Sequence, residues 1–157
     1  MGQQQLLLIV LGVIIVGIAI AVGISMFKSN AQSSNRDAIV NDLNNLAAQA
    51  QQYYRKPTSM GGGAQAFNGF GLASADTGNG NGSYFLTSTK PTVLFAIGAY
   101  PARHASGGNG FDTLSAGASC QEFYIVGIGT ETGNDNTNKC QAFADVTPTG
   151  PTVKVLN

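Results

Sequence analysis

A chain of 157 residues has room for one domain and an appendage, and its eight basic and eight acidic side chains balance. Charged residues make up only 10%, so no strong field points to nucleic acid or to an anionic membrane surface. The 21 glycines lie mostly after Pro57 among Ser, Thr and Asn, which is a turn-rich composition.

The first element is MGQQQLLLIVLGVIIVGIAIAVGISMF, which carries no charged side chain before Lys28. From Leu6 to Phe27 it holds about 22 residues, roughly 33 Å of helix and enough to span a bilayer core. Four readings compete. A cleaved secretory signal needs a basic start and a shorter apolar core, and this stretch has neither. A buried core helix needs a larger domain around it than a glycine-rich chain of this size provides. A plain membrane anchor fits. So does a helix that sits in a membrane first and in a protein polymer later.

The second element follows without a glycine or proline between Phe27 and Ile39. Ile39, Leu43, Leu46, Ala50 and Tyr53 recur at helical spacing, with Asn, Gln, Asp and Ser on the other faces. Asp37 and Asp42 lie toward its start. Arg55 and Lys56 lie in its last turn, where they suit the helix dipole, and Pro57 ends it. One continuous helix of about 50 residues, some 75–80 Å long, is therefore expected. The division is a first apolar part over residues 1–28, an amphipathic part over 29–56, and a head over 57–157.

The head opens with a loop marked by the turn signals 61–63, 68–69 and 78–82. Phe67, Phe70 and Leu72 argue against a purely flexible linker. Strand-like runs follow at 83–88, 92–98, 122–128, 141–146 and 152–156, with a turn at Thr89-Lys90-Pro91. About four antiparallel strands are expected, with one face of the sheet burying the stripe from Ile39 to Tyr53. That is an α+β fold, a helix laid on a sheet. Cys120 and Cys140 are too few for a zinc site, and no ligand stands at metal spacing beside them. A bridge is the better reading. It would close about 20 residues, contribute roughly 3 kcal/mol, and place this half in an oxidising space.

Taken together, these residues resemble the type IV pilin superfamily. The shared pattern is a short polar start, a long uncharged apolar helical half, an amphipathic half, a glycine-rich loop, an antiparallel sheet and a late disulfide-bounded segment. It covers the whole chain in architecture, and its residue-level specificity lies in the first 30 or so positions. Members usually carry Glu at the fifth mature position; counted from Met1, Gln5 stands there. Cleavage after Gly2 would instead give a start at Gln3. Members often have a proline near position 22, where this chain reads Ala21, Val22, Gly23. The helix is nonetheless expected to stay mostly helical through the small residues at 17–23.

The resemblance implies a non-enzymatic subunit, without cofactor or metal, that is anchored in the inner membrane and meets a leader peptidase and a pilus assembly machinery. It would then join a helical homopolymer at the cell surface. Gln5, Leu6, Leu7, Leu8, Ile9, Leu11, Ile14, Ile15, Ile18, Ile20, Ile24 and Phe27 would form the polymer core. Gly12, Gly17, Ala19, Ala21 and Gly23 would allow close approach of helices. Gln5 would hydrogen-bond an α-amino group, or else Gln3, Gln4 and Gln5 simply cap a membrane helix. The alternatives are a pseudopilin of a type II-like secretion system and an anchored surface domain that never polymerises.

Other chemistry finds little support. His104 is the only histidine and reads as a loop residue. No nucleophile–base pair stands out. The run 78–82 lacks the Lys-Ser/Thr and helix of a phosphate loop. Asp76 with Asn79 and Asn81, or Glu131 with Asn134, Asp135 and Asn136, offer oxygen ligands for calcium without an established loop pattern. Asn81-Gly82-Ser83 fits a glycosylation acceptor or a plain turn. Phe27, Tyr53 and Tyr54 are too few for an aromatic relay along the helix. Arg36, Arg55, Lys56, Lys90 and Arg103 are too scattered to bind DNA.

Overall fold

The computed structural model describes residues 2–73, 75–87, 90–91, 121–133 and 138–156. One helix, α1 (Gly2–Arg55), runs unbroken for 54 residues, about 81 Å at 1.5 Å per residue. The apolar and amphipathic parts are thus a single element. A short 3-10 turn (Thr58–Met60) follows Pro57.

Among the described residues four strands then form one antiparallel sheet: β1 (Gly82–Thr87), β2 (Phe123–Thr132), β3 (Lys139–Thr147) and β4 (Gly150–Val155). They lie side by side in chain order. Phe85 pairs with Val126, Val126 with Phe143, and Ala144 with Val153. The run 92–98 falls outside the described residues, as do Ser88, Thr89 and Cys120.

The core lies between α1 and one sheet face. Ile39, Leu43, Leu46, Ala47 and Ala50 are buried there against Tyr84, Phe123, Ile125, Ala142, Ala144 and Val146. Tyr53 is partly buried at its edge. Side chains alternate along a strand, so the intervening residues face away from the helix. Those on β2 and β3 are buried too: Tyr124, Val126, Ile128 and Phe143 form a second apolar cluster. β2 therefore reads as a near-continuous apolar run rather than an alternating one.

The loop after α1 closes over the helix end. The N–H groups of Gly63, Gln65 and Ala64 donate to the carbonyls of Tyr53, Tyr54 and Lys56 at 2.9, 2.9 and 3.0 Å. They satisfy acceptors that the last turn of a helix leaves open. Ala64 and Gln65 adopt left-handed backbone, with φ of 46° and 68°, to do so. Phe67, Phe70 and Leu72 are buried behind this loop. Phe67 and Phe70 each pack on Phe123, with ring centroids 5.0 and 5.5 Å apart.

Candidate assembly interface

From Gly2 to Phe27, no residue of α1 is buried. Its large apolar side chains stand in the open, from Leu6 at 66% exposure to Phe27 at 79%. Leu7, Leu8, Ile9, Leu11, Ile14, Ile15, Ile18, Ile20 and Ile24 are exposed in the same way, and Gln5 is exposed at the tip. The apolar residues surround the helix; no polar stripe divides them. By length and composition this helix can cross a membrane. A reading as the core helix of the head is ruled out, because none of this stretch is buried in the head.

An exposed apolar surface of this extent far exceeds the few hundred Å² that a soluble monomer ordinarily leaves in water. At about 1.5–3 kcal/mol per fully buried aliphatic side chain, its transfer out of water is worth tens of kcal/mol. A β-carbon added at Gly12, Gly17 or Gly23 would meet no other element among the described residues within 4 Å. Among the described residues their smallness serves no contact with another element.

Where the rod meets the head, polar side chains fasten it. Gln32 Nε2 donates to the Gly133 carbonyl at 3.2 Å and to Thr132 Oγ1 at 3.5 Å. Asn35 Nδ2 donates to the Asn81 carbonyl at 2.8 Å and to Thr130 Oγ1 at 3.2 Å. Below Gln32, residues 28–31 are exposed. Further along, Gln51 Nε2 donates to the Thr147 carbonyl, and Tyr53 Oη donates to the Asn68 carbonyl at 2.8 Å.

Asp42 ties the helix to β1 and the loop before it. Its Oδ2 accepts from Tyr84 Oη at 2.6 Å, Asn79 Nδ2 at 2.8 Å and Asn81 Nδ2 at 2.9 Å. Burial by itself raises the carboxyl, but the bonds from Asn81, Tyr84 and Asn79 outweigh it and hold Asp42 below its ordinary 3.8. Burial first, and then the Asp42 carboxylate, push the Tyr84 phenol well above its usual range.

Two sequence candidates lie in this network. Asn79 Oδ1 accepts from the N–H groups of Asn81 and Gly82 at 2.9 and 3.0 Å. Both Asn79 and Asn81 turn their amide nitrogens to Asp42, which makes a closed turn rather than a ring of oxygen ligands. A sugar on Asn81 Nδ2 would stand between α1 and the loop. In the other calcium candidate, Glu131 is exposed and Asn134, Asp135 and Asn136 lie outside the described residues. Among the described residues no cluster of His, Cys, Asp or Glu could hold a metal ion. Cys140 is buried on β3; its expected partner Cys120 is outside the described residues, as is His104.

The sequence does not mark Ala47 as core, Gln32, Asn35, Asp42 and Gln51 as fasteners, or the far face of the sheet as buried. Polar residues on an amphipathic helix read as solvent-facing, and only their tertiary partners mark them out. Compared with protein-family models, curated protein sequences and solved structures, the chain gives no significant match.

Proposed function

We propose that this chain is a structural, non-catalytic subunit that polymerises through its apolar N-terminal helix into an extracellular filament of the type IV pilus kind. The supporting observation is the bare helix itself, apolar on every side and contributing no residue to the head's core among the described residues. Such a helix needs an apolar surrounding. A bilayer supplies one before assembly, and other copies of the rod supply one in the filament.

Moving the rod from lipid to protein gains little from the hydrophobic effect, because acyl chains are already apolar. Packing has to favour the polymer, and small residues let helices approach closely. Gly12, Gly17, Ala19, Ala21 and Gly23 provide such sites. Gln5 then serves as a neutral partner for a neighbouring α-amino group, less costly to bury than a carboxylate. The leader peptidase, the assembly machinery and the Cys120–Cys140 bridge belong to the same reading.

The test is mechanical shearing of intact cells, followed by mass spectrometry of the released fibres, for the native chain and for Ile15→Lys. The native chain should dominate the fibre fraction. The variant, with a charge in mid-rod costing about 2.5–3.5 kcal/mol in a bilayer, should be absent from it. A chain confined to the membrane fraction would favour an anchored domain that does not polymerise.

A further inference from the structure

We propose that residues 28–31, one helical turn, form a hinge between the rod and the head. This turn belongs to neither. Phe27 is the last apolar residue of the rod, and Gln32 is the first side chain fastened to the sheet. Lys28, Ser29, Asn30 and Ala31 between them are all exposed.

Three physical differences separate this turn from its flanks. In an apolar surrounding the rod has no alternative partner for its backbone N–H and C=O groups, so its helix is locked. Above Gln32, the helix is held by Asn35, Ile39 and Leu43 against the sheet. Residues 28–31 are exposed, so water can serve as an alternative partner for their backbone. Ser29 and Asn30 are poor helix formers, because their side chains compete for nearby backbone groups. Lys28 has Ile24 and Gln32 four residues away on either side, so no opposite charge braces it at helical spacing.

The small residues at 17–23 do not share this weakness, since they lie inside the apolar stretch. Opening the turn takes four residues from about 1.5 to about 3.3 Å each. The head then moves out by roughly 7 Å, or swings, while the rod packing and the head core stay intact. The hinge requires only that the rod sit in an apolar surrounding, so it does not depend on polymerisation.

Hydrogen exchange on the full chain in detergent micelles, resolved to single amides, tests it. Amides at 28–34 should exchange at least tenfold faster than those at 10–24 and at 39–50. The double variant Ser29→Ala, Asn30→Ala should slow them about five- to tenfold and leave the melting of the head unchanged. Asn30→Pro, which forces a break at this turn, should leave both micelle retention and head melting as they were. A difference below tenfold, fastest exchange at 17–23 instead, no response to the alanine pair, or a head unfolded by the proline would each overturn the hinge.

Discussion

Ile39 of α1 packs so closely on Gly127 of β2 that a β-carbon on the glycine would stand 2.7 Å from Ile39 Cγ2. Two residues on, a β-carbon on Gly129 would stand 2.1 Å from Asn35 Oδ1 and 2.6 Å from Ile39 Cδ1. These glycines let the helix settle onto the strand at the point where the rod leaves the head. Gly127→Ala and Gly129→Ala are each expected to destabilise the head by about 1–3 kcal/mol through overpacking. Gly80→Ala, where nothing lies within 4 Å, should fall within about 0.5 kcal/mol of the parent. Urea melts of the full chain in detergent check all three.

Asp42 gives the head an acid-sensitive fastening. Its folded value is depressed, so the stability it adds is present above the unfolded carboxylate value. That stability is lost as pH falls through the folded value. Head melting temperature should therefore drop on acidification below about pH 4, and Asp42→Asn should remove part of that drop. At neutral pH the same variant should cost about 1 kcal/mol, the low end for charge-assisted bonds, because solvent reaches the site.

The left-handed residues at the helix end offer a gain. Ala64 has φ of 46°, a conformation that disfavours a side chain by about 1–2 kcal/mol. Part of the advantage of glycine there is lost to its freer unfolded chain. Ala64→Gly is expected to raise stability by about 0.5–1 kcal/mol, read as a higher urea midpoint with an unchanged slope.

Small residues in the rod separate packing from anchoring. Gly17 has no neighbour from another element among the described residues, so Gly17→Leu should leave membrane insertion and head melting unaltered. If copies pack along this face, the variant should yield far fewer sheared filaments, counted by negative-stain microscopy.

Much of the frame was legible from spacing alone. Uncharged residues up to Phe27, the steps from Ile39 to Ala50 and the stop at Pro57 outline a helix that the structure places at Gly2–Arg55. The rod was legible because a run apolar on all faces has few physical destinations. The packing of the Ile39–Tyr53 stripe on one sheet face was legible as well, but the polar and close contacts across that interface were not. Asp42 and Gln51 look like ordinary polar positions, and Gly127 and Gly129 look like interruptions in a strand, until the opposite element is in place. The far face of β2 was hidden for a similar reason: FYIVGI announces an apolar strand, but not that both of its faces are buried.

The most direct test is cryo-electron microscopy of fibres sheared from the surface of cells that express this chain. The proposed function predicts helical filaments built of this subunit, with residues 6–27 packed together along the axis and the sheets outside. Fibres made of another protein, with this chain retained as single copies in the membrane, would contradict it.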